Sequence, residues 1–362
     1  MSAPLPRRSI LEIATYVPGR AVLDHARPSI KLSANEGALG PSPRAVAAFR
    51  DAADEIWRYP DGSATALRAA IGKRFGLDPA RIVCGCGSGD VLLLLAQAYT
   101  GPDTEVISSA HGFLMYPIAA RAAGATPVAA PEVNDTTSVD ALLACVTPRT
   151  RAMFIANPNN PTGTYLPIDA LRELRKRLRD DVLLVIDSAY AEYSRAADYS
   201  PAAELVDAAD NTVMTRTFSK FFGLAGLRLG WAYCPAAIAD VLNRIRGPFN
   251  VALPTQAAAV AVLEDEPFAR ASKAHNDRWL PWFEAELRAL GLAVVPSNAN
   301  FVLVRFPEDA KHNADAANAF LNERGIIPRK VAAYGLPDCL RITIGTEAEL
   351  RAAVDALAAF MG

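Results

Sequence analysis

The segment DVLLVIDSAYAEY, residues 181–193, constrains this chain most, because an unbroken apolar run from Val182 to Ile186 ends on the carboxylate of Asp187. A strand with one wet face alternates polar and apolar residues. One that is apolar throughout needs cover on both faces, the condition of a parallel sheet between helices. Ligands of such sheets bind beyond the carboxyl ends of the strands, so Asp187 stands where chemistry is expected. A chain of 362 residues is long enough to bury such a sheet and carry a second, smaller unit.

Other segments extend the pattern. TEVISSA (104–110), RAMFIAN (151–157) and NTVMTRTF (211–218) read as further strands, and LAGLRLGWAYC (224–234) as another. RIVCGCGSGDVLLLLAQAY passes from strand through a glycine turn into a helix, with Ser88, Gly89 and Asp90 at the helix start. Free N–H groups and the helix dipole attract phosphate there. The spacing G-x-G-x-G-D departs from the G-x-G-x-x-G of dinucleotide sites, and no leading strand–helix unit precedes it, so that reading ranks low. Beyond Trp231, helices are expected at about 235–246, 254–265 and 267–290. NFVLVRF, DAANAFLNERG, IIPRKV, CLRITIG and EAELRAAVDALAAF then alternate strand and helix as a small α/β unit. The expected division is an arm over 1–34, a large domain over 35–265, and a small domain over 266–362 packed with the arm. The arm is rich in proline and arginine and contains Tyr16, Pro18, Gly19 and Arg20.

Composition narrows the function. The chain is 51% hydrophobic and 21% charged, with a net charge of −2, so no basic field recruits nucleic acid or an acidic membrane. No run approaches the roughly 18 apolar residues of a membrane helix. No signal peptide is evident at the amino terminus. Cysteines at 84, 86, 145, 234 and 339 lack the spacing of a zinc site and read as reduced thiols of a cytoplasmic protein. No metal is expected; small-molecule chemistry is.

The chemistry centres on Thr215–Trp231, TRTFSKFFGLAGLRLGW. Lys220 follows a buried strand, and desolvation there lowers a lysine's pKa and frees the amine for Schiff-base chemistry with an aldehyde. Thr217 and Ser219 alternate with Phe218, which points both hydroxyls one way, and Arg228 adds a fixed cation: the parts of a phosphate site. A surface lysine among turn glycines is the competing reading of this stretch. The loop NPNNPTG (157–163) is made of turn formers, and Asp187 is equally able to cap a helix.

SK-x-x-G-L-A-G-L-R-x-G resembles the lysine segment of fold type I pyridoxal-phosphate enzymes, in the histidinol-phosphate aminotransferase branch of the aspartate aminotransferase superfamily. The family's motifs follow in order along nearly the whole chain: Tyr59, GSGD, Phe113, NPNNPTG, DSAY, TFSK, Arg228, LRITIG. The resemblance implies a large domain with a mostly parallel seven-stranded sheet between helices plus a small C-terminal α/β domain. It makes Lys220 the covalent anchor of pyridoxal phosphate and the proton-transfer group, Asp187 the partner of the pyridine nitrogen, and Asn157 and Tyr190 donors to the phenolic oxygen. Phe113 stacks on the ring. Ser88, Gly89, Asp90, Thr217, Ser219, Arg228 and a Tyr59 borrowed across a homodimer interface surround the cofactor phosphate. Arg341 takes the α-carboxylate of the amino acid partner, while Arg329 and Tyr16 attend the phosphate of histidinol phosphate. Asn35 belongs to the loop NEGALGPSP, whose Gly37 and Ala38 depart from the family's N-E-N-P-x-G-P-S-P, and is expected at the substrate.

The implied reaction is ping-pong transamination of histidinol phosphate with 2-oxoglutarate in histidine biosynthesis. Aromatic aminotransferases and phosphothreonine decarboxylases share the cofactor motifs and are the alternatives. A pyridoxal-phosphate-binding regulator is a third, and its winged helix finds no room in the short arm.

Overall fold

The computed structural model describes residues 4–19 and 29–362; Arg20, with residues 1–3 and 21–28 of the arm, lies outside the described residues. Seven strands form the large sheet: β1 (Ile82–Gly85), β2 (Glu105–Ser109), β3 (Thr126–Ala130), β4 (Thr150–Ala156), β5 (Leu183–Asp187), β6 (Thr212–Thr217) and β7 (Gly230–Tyr233). Their spatial order is β1-β7-β6-β5-β4-β2-β3. All neighbouring pairs are parallel except those of β7, which runs antiparallel to both β1 and β6. This is the mostly parallel seven-stranded sheet that the family resemblance implies.

The apolar run explains the position of β5. Leu184, Val185 and Ile186 are fully buried, and each contributes roughly 1.5–3 kcal/mol by leaving water. Helices cover the sheet with one-sided apolar stripes: Ile168–Arg177 buries Leu171 and Leu174 and exposes Arg172, Glu173, Lys176 and Arg177, while Ser88–Tyr99 buries Val91, Leu92, Leu94, Leu95 and Ala96.

The reversed direction of β7 brings Arg228 to the reactive edge. Gly230, its first residue, pairs with Thr217 on one side and Gly85 on the other, so the chain just before it lies beside the carboxyl ends of β1 and β6. The long strand expected over 224–234 is therefore shorter. Ala225–Leu227 is a 3-10 turn, and Arg228 adopts a positive φ of 52°. The glycines at 223 and 226 break the extended pattern, and the Leu224 N–H turns back to Phe218 O at 3.0 Å.

A second sheet follows, with β8 (Ala293–Val295), β9 (Phe301–Arg305), β10 (Arg329–Lys330) and β11 (Cys339–Thr343) in the order β8-β9-β11-β10. Helices Glu266–Ala289, Ala314–Glu323 and Glu347–Met361 pack on it around Leu280, Phe283, Val302, Leu340 and Leu350. Residues Ile30–Lys31 pair in parallel with Ile326–Ile327, which draws the end of the arm onto this unit. Among the described residues no helix is long and apolar enough to cross a membrane.

Candidate active site

The carboxyl ends of β1, β2, β4, β5 and β6 and the inner edge of the second sheet enclose a cavity of about 630 Å³. Lys220 is partly exposed within it, and its Nζ donates to Ala34 O at 2.8 Å. Burial first, then the Arg341 guanidinium, push its amine down to about 7, against the pull of Glu36. Glu36 itself is tied to Lys31 at 2.7 Å. A lysine in this state is a nucleophile and a base at neutral pH.

Asp187 ends β5 in the same cavity, 4% exposed. Thr215 Oγ1 donates to one carboxylate oxygen at 3.0 Å and Tyr116 Oη to the other at 3.1 Å. Burial raises the carboxyl to about 6, and those hydrogen bonds hold it from rising further. At neutral pH it is mostly an anion. Tyr190 is buried beside it, and its phenol oxygen accepts from Asn35 Nδ2 at 2.9 Å. The phenol proton is left to donate. Asn35 is itself locked to Thr343.

The helix Ser88–Tyr99 starts on the cavity wall, with Ser88 and Gly89 in the lining. Arg228 Nη1 donates to Ser219 Oγ at 3.2 Å, and Ser219 N donates to Thr217 Oγ1 at 3.1 Å. Two glycines make this convergence feasible: a Cβ on Gly87 would sit 2.5 Å from Arg228 Nη2, and one on Gly230 would sit 2.1 Å from Ser88 N. The result is a cluster of donors at a helix N-terminus, built for an anion. Asp90 also lines the cavity, and its carboxylate accepts from Cys86 N at 2.9 Å. It braces the glycine turn rather than presenting a donor.

The remaining expected residues divide. Phe113, Tyr16, Arg329 and Arg341 line the cavity. Arg341 is 5% exposed, with Nη1 donating to Asn160 Oδ1 at 2.5 Å and Nη2 to Ser33 O at 2.8 Å. Asn157 is elsewhere: its side chain donates to Leu166 O at 3.0 Å and accepts from Leu166 N at 2.8 Å, clamping the loop. Asn160 occupies the cavity wall instead. The sequence signal was the third asparagine of NPNNPTG, and periodicity has no means of choosing among three turn-forming asparagines. Tyr59 lies outside the cavity, 80% exposed and stacked on Phe249 at 4.5 Å. Sequence reasoning also missed Tyr116, Thr215 and Tyr334, which read as ordinary core residues until tertiary contacts are known. Among the described residues no cluster of His, Cys, Asp and Glu is arranged to hold a metal ion.

An amine and a buried carboxylate in one cavity, with an anion cradle and a buried arginine in the same lining, make the site of an amino-group-transferring enzyme. The chain belongs to the family of class I and II aminotransferases, whose model matches residues 27–357. It is 58% identical over 362 residues to histidinol-phosphate aminotransferase of Paramagnetospirillum magneticum, covering 100% of both chains. To the protein of that name from Rhodospirillum centenum it is 60% identical over 361 residues, covering 99% of this chain and 98% of the other. Its fold matches the crystal structure of histidinol-phosphate aminotransferase from Sinorhizobium meliloti in complex with pyridoxal-5'-phosphate, with a TM-score of 0.92 and 28% identity, covering 99% and 98% of the two chains. The fold is also that of Thermus thermophilus aspartate aminotransferase, with a TM-score of 0.82 over 92% of each chain at 24% identity.

Proposed function

We propose that this chain is a pyridoxal-phosphate-dependent aminotransferase that moves the amino group of histidinol phosphate to 2-oxoglutarate, in histidine biosynthesis. The observation that carries the reaction class is the meeting of Lys220 and Asp187 in one cavity. The substrate is supported by the full-length relatives above.

The donor set fits the cofactor. Ser88, Gly89, Ser219 and Arg228 would hold its phosphate, with Thr217 supporting Ser219. Asp187 would hold the pyridine nitrogen protonated, Asn160 and Tyr190 would donate to the phenolic oxygen, and Phe113 would cover the ring. When bound, pyridoxal phosphate supplies an aldehyde for the substrate amine and a ring that accepts the electron pair left on deprotonation.

Every other task falls to the chain. Lys220 Nζ, half of it neutral at pH 7 given a pKa of about 7, is the covalent anchor, and it takes the proton from the substrate carbon that bears nitrogen and later returns one. Thr215 and Tyr116 keep Asp187 fixed and ionised. Arg341 holds the anionic end of the substrate, oriented by Asn160 and Ser33. Arg329 and Tyr16 offer a second anion contact from the small unit and the arm.

We further read the chain as an arm, a large domain over 35–265 and a small domain over 266–362. It works as a cytoplasmic homodimer in which Tyr59 serves the cofactor phosphate of a second copy. The exposed apolar cluster of Ile56, Trp57, Tyr59 and Phe249 supports that interface. The test is single-turnover conversion of the loaded enzyme with histidinol phosphate, phenylalanine, tyrosine and phosphothreonine separately, followed by absorbance. Histidinol phosphate reacts fastest. Faster reaction with phenylalanine or tyrosine overturns the substrate, carbon dioxide release from phosphothreonine overturns the reaction class, and turnover by Lys220→Ala overturns the site.

A further inference from the structure

We propose that Tyr334 is a specificity-determining residue, whose hydroxyl donates to the substrate's phosphate in the space between Arg329 and Arg341. The inference rests on the histidinol-phosphate reading and adds to the site a residue that no sequence motif marked.

Placement comes first. Arg329 of β10 and Arg341 of β11 are direct register partners, so their side chains leave the same face of the sheet. Like charges directly opposite each other destabilise a sheet, and this pair makes sense where an anion arrives between them. Tyr334 closes the connection between these two strands. Its N–H bonds Val331 O at 2.9 Å, ending the 3-10 turn Ala332–Tyr334. Its ring packs with Leu303, Val331, Leu336 and Cys339, leaving it 4% exposed but still in the cavity lining.

The turn is fixed from the large sheet as well. His111 Nδ1 bonds Tyr334 O at 2.6 Å. Gly335 follows with a φ of +79°, and a Cβ there would lie 3.3 Å from the His111 ring. The tyrosine is thus clamped at its backbone and packed at its ring, so its hydroxyl is presented rather than mobile.

The surroundings of that hydroxyl decide what it does. It shares the cavity lining with Arg341, Arg329 and Tyr16, and the charges of both arginines act on it. A guanidinium has no acceptor, and Arg341 Nη1 and Nη2 donate to Asn160 Oδ1 and Ser33 O, so the phenol proton is not taken up by the arginines and is left to give. Burial, the larger influence, raises the phenol's pKa over the opposing arginines, so the donor stays protonated at working pH.

The two substrates use this donor differently. Glutamate presents a two-oxygen carboxylate to Arg341, a planar match for the guanidinium fork. Histidinol phosphate has no carboxylate; its phosphate ester offers three terminal oxygens and almost twice the charge, more acceptors than one fork satisfies. A phosphate spanning from Arg341 toward Arg329 takes the Tyr334 O–H, and a carboxylate seated on Arg341 leaves it unused.

The test measures the two half-reactions separately on the cofactor-loaded enzyme and on Tyr334→Phe. They share Lys220, the cofactor and the fold, so a merely structural defect lowers both. The expected result is a fall in kcat/KM for histidinol phosphate of about ten- to a hundredfold, with glutamate within about threefold, as for loss of one hydrogen bond to a charged group. Calorimetric titration with inorganic phosphate reads the same contact without turnover: the variant binds it more weakly than wild type does, while maleate binds both equally. Equal losses for both substrates, or no loss for histidinol phosphate, overturn the proposal. Wild-type enzyme that converts glutamate but not histidinol phosphate refutes the substrate reading itself, and the proposal falls with it. If Tyr334→Phe does not fold, Tyr334→Met keeps the apolar packing without the donor, and the same ratio decides.

Discussion

The proton affinity of Lys220 is measurable without substrate. Burial and Arg341 bring its amine from the ordinary 10.5 to about 7. At pH 7 about half of the amine is free, against about one part in 3,000 for an unperturbed lysine. The assay strips the cofactor, adds limiting pyridoxal phosphate from pH 5.5 to 9.5, and measures borohydride-trapped label on the Lys220 peptide. The attachment rate rises with pH through a midpoint near 7 and levels about one pH unit higher. Arg341→Gln removes a repelling cation and moves the midpoint alkaline; Glu36→Gln removes a supporting anion and moves it acid. The same shift is a statement about stability. The folded chain binds fewer protons than the unfolded chain between about 7 and 10.5, so this lysine's contribution to stability rises with pH across that window and is constant below it. A rate that climbs without a break toward pH 10, in wild type and both variants alike, refutes the account of the site.

Asp187 carries the opposite linkage. Its folded carboxyl titrates at about 6 against 3.8 unfolded, so the folded chain binds more protons in that interval and its stability contribution falls as pH rises from 3.8 to 6. Asp187→Asn removes that dependence from thermal melts of the cofactor-free protein and lowers turnover about a hundredfold or more; unchanged turnover sinks its assignment. The two loop asparagines separate by readout: Asn157→Ala costs about 1–3 kcal/mol in denaturant unfolding by leaving the Leu166 backbone unpaired, whereas Asn160→Ala frees Arg341 and lowers kcat/KM with little change in stability. Gly230→Ala drives a methyl against Ser88 N and weakens the catalytic geometry about a hundredfold, read as pyridoxal-phosphate affinity by fluorescence titration; unimpaired binding rules out the cradle at Ser88.

Much of this was legible in the chain. The apolar run ending on Asp187 specified a covered parallel strand, because a residue pattern with no wet face admits few other places. Most of the strands and helices followed from residue pattern, the edge strand β3 excepted, and so did the lysine's position in a connection after a buried strand. Some of it was not. LAGLRLGWAYC is apolar enough for one long strand, yet its first half turns, because glycine freedom and the backbone bond from Leu224 back to Phe218 outweigh strand propensity. Asn157 and Asn160 are chemically identical and three residues apart; only the partners folded against them, Leu166 and Arg341, tell them apart.

The sequence by itself determined the sheet, its helical cover and the inventory of reactive groups, since burial and turn chemistry act over a few residues. The tertiary structure decided which groups meet. The reversal of β7 carries Arg228 to the cradle, and the pairing of β10 with β11 sets Arg329 beside Arg341. Packing against Ala34 and the second sheet is what desolvates Lys220. Electrostatics of this kind depends on distances between residues up to some 300 positions apart, such as Asn35 and Thr343 at 308, and no local pattern encodes them.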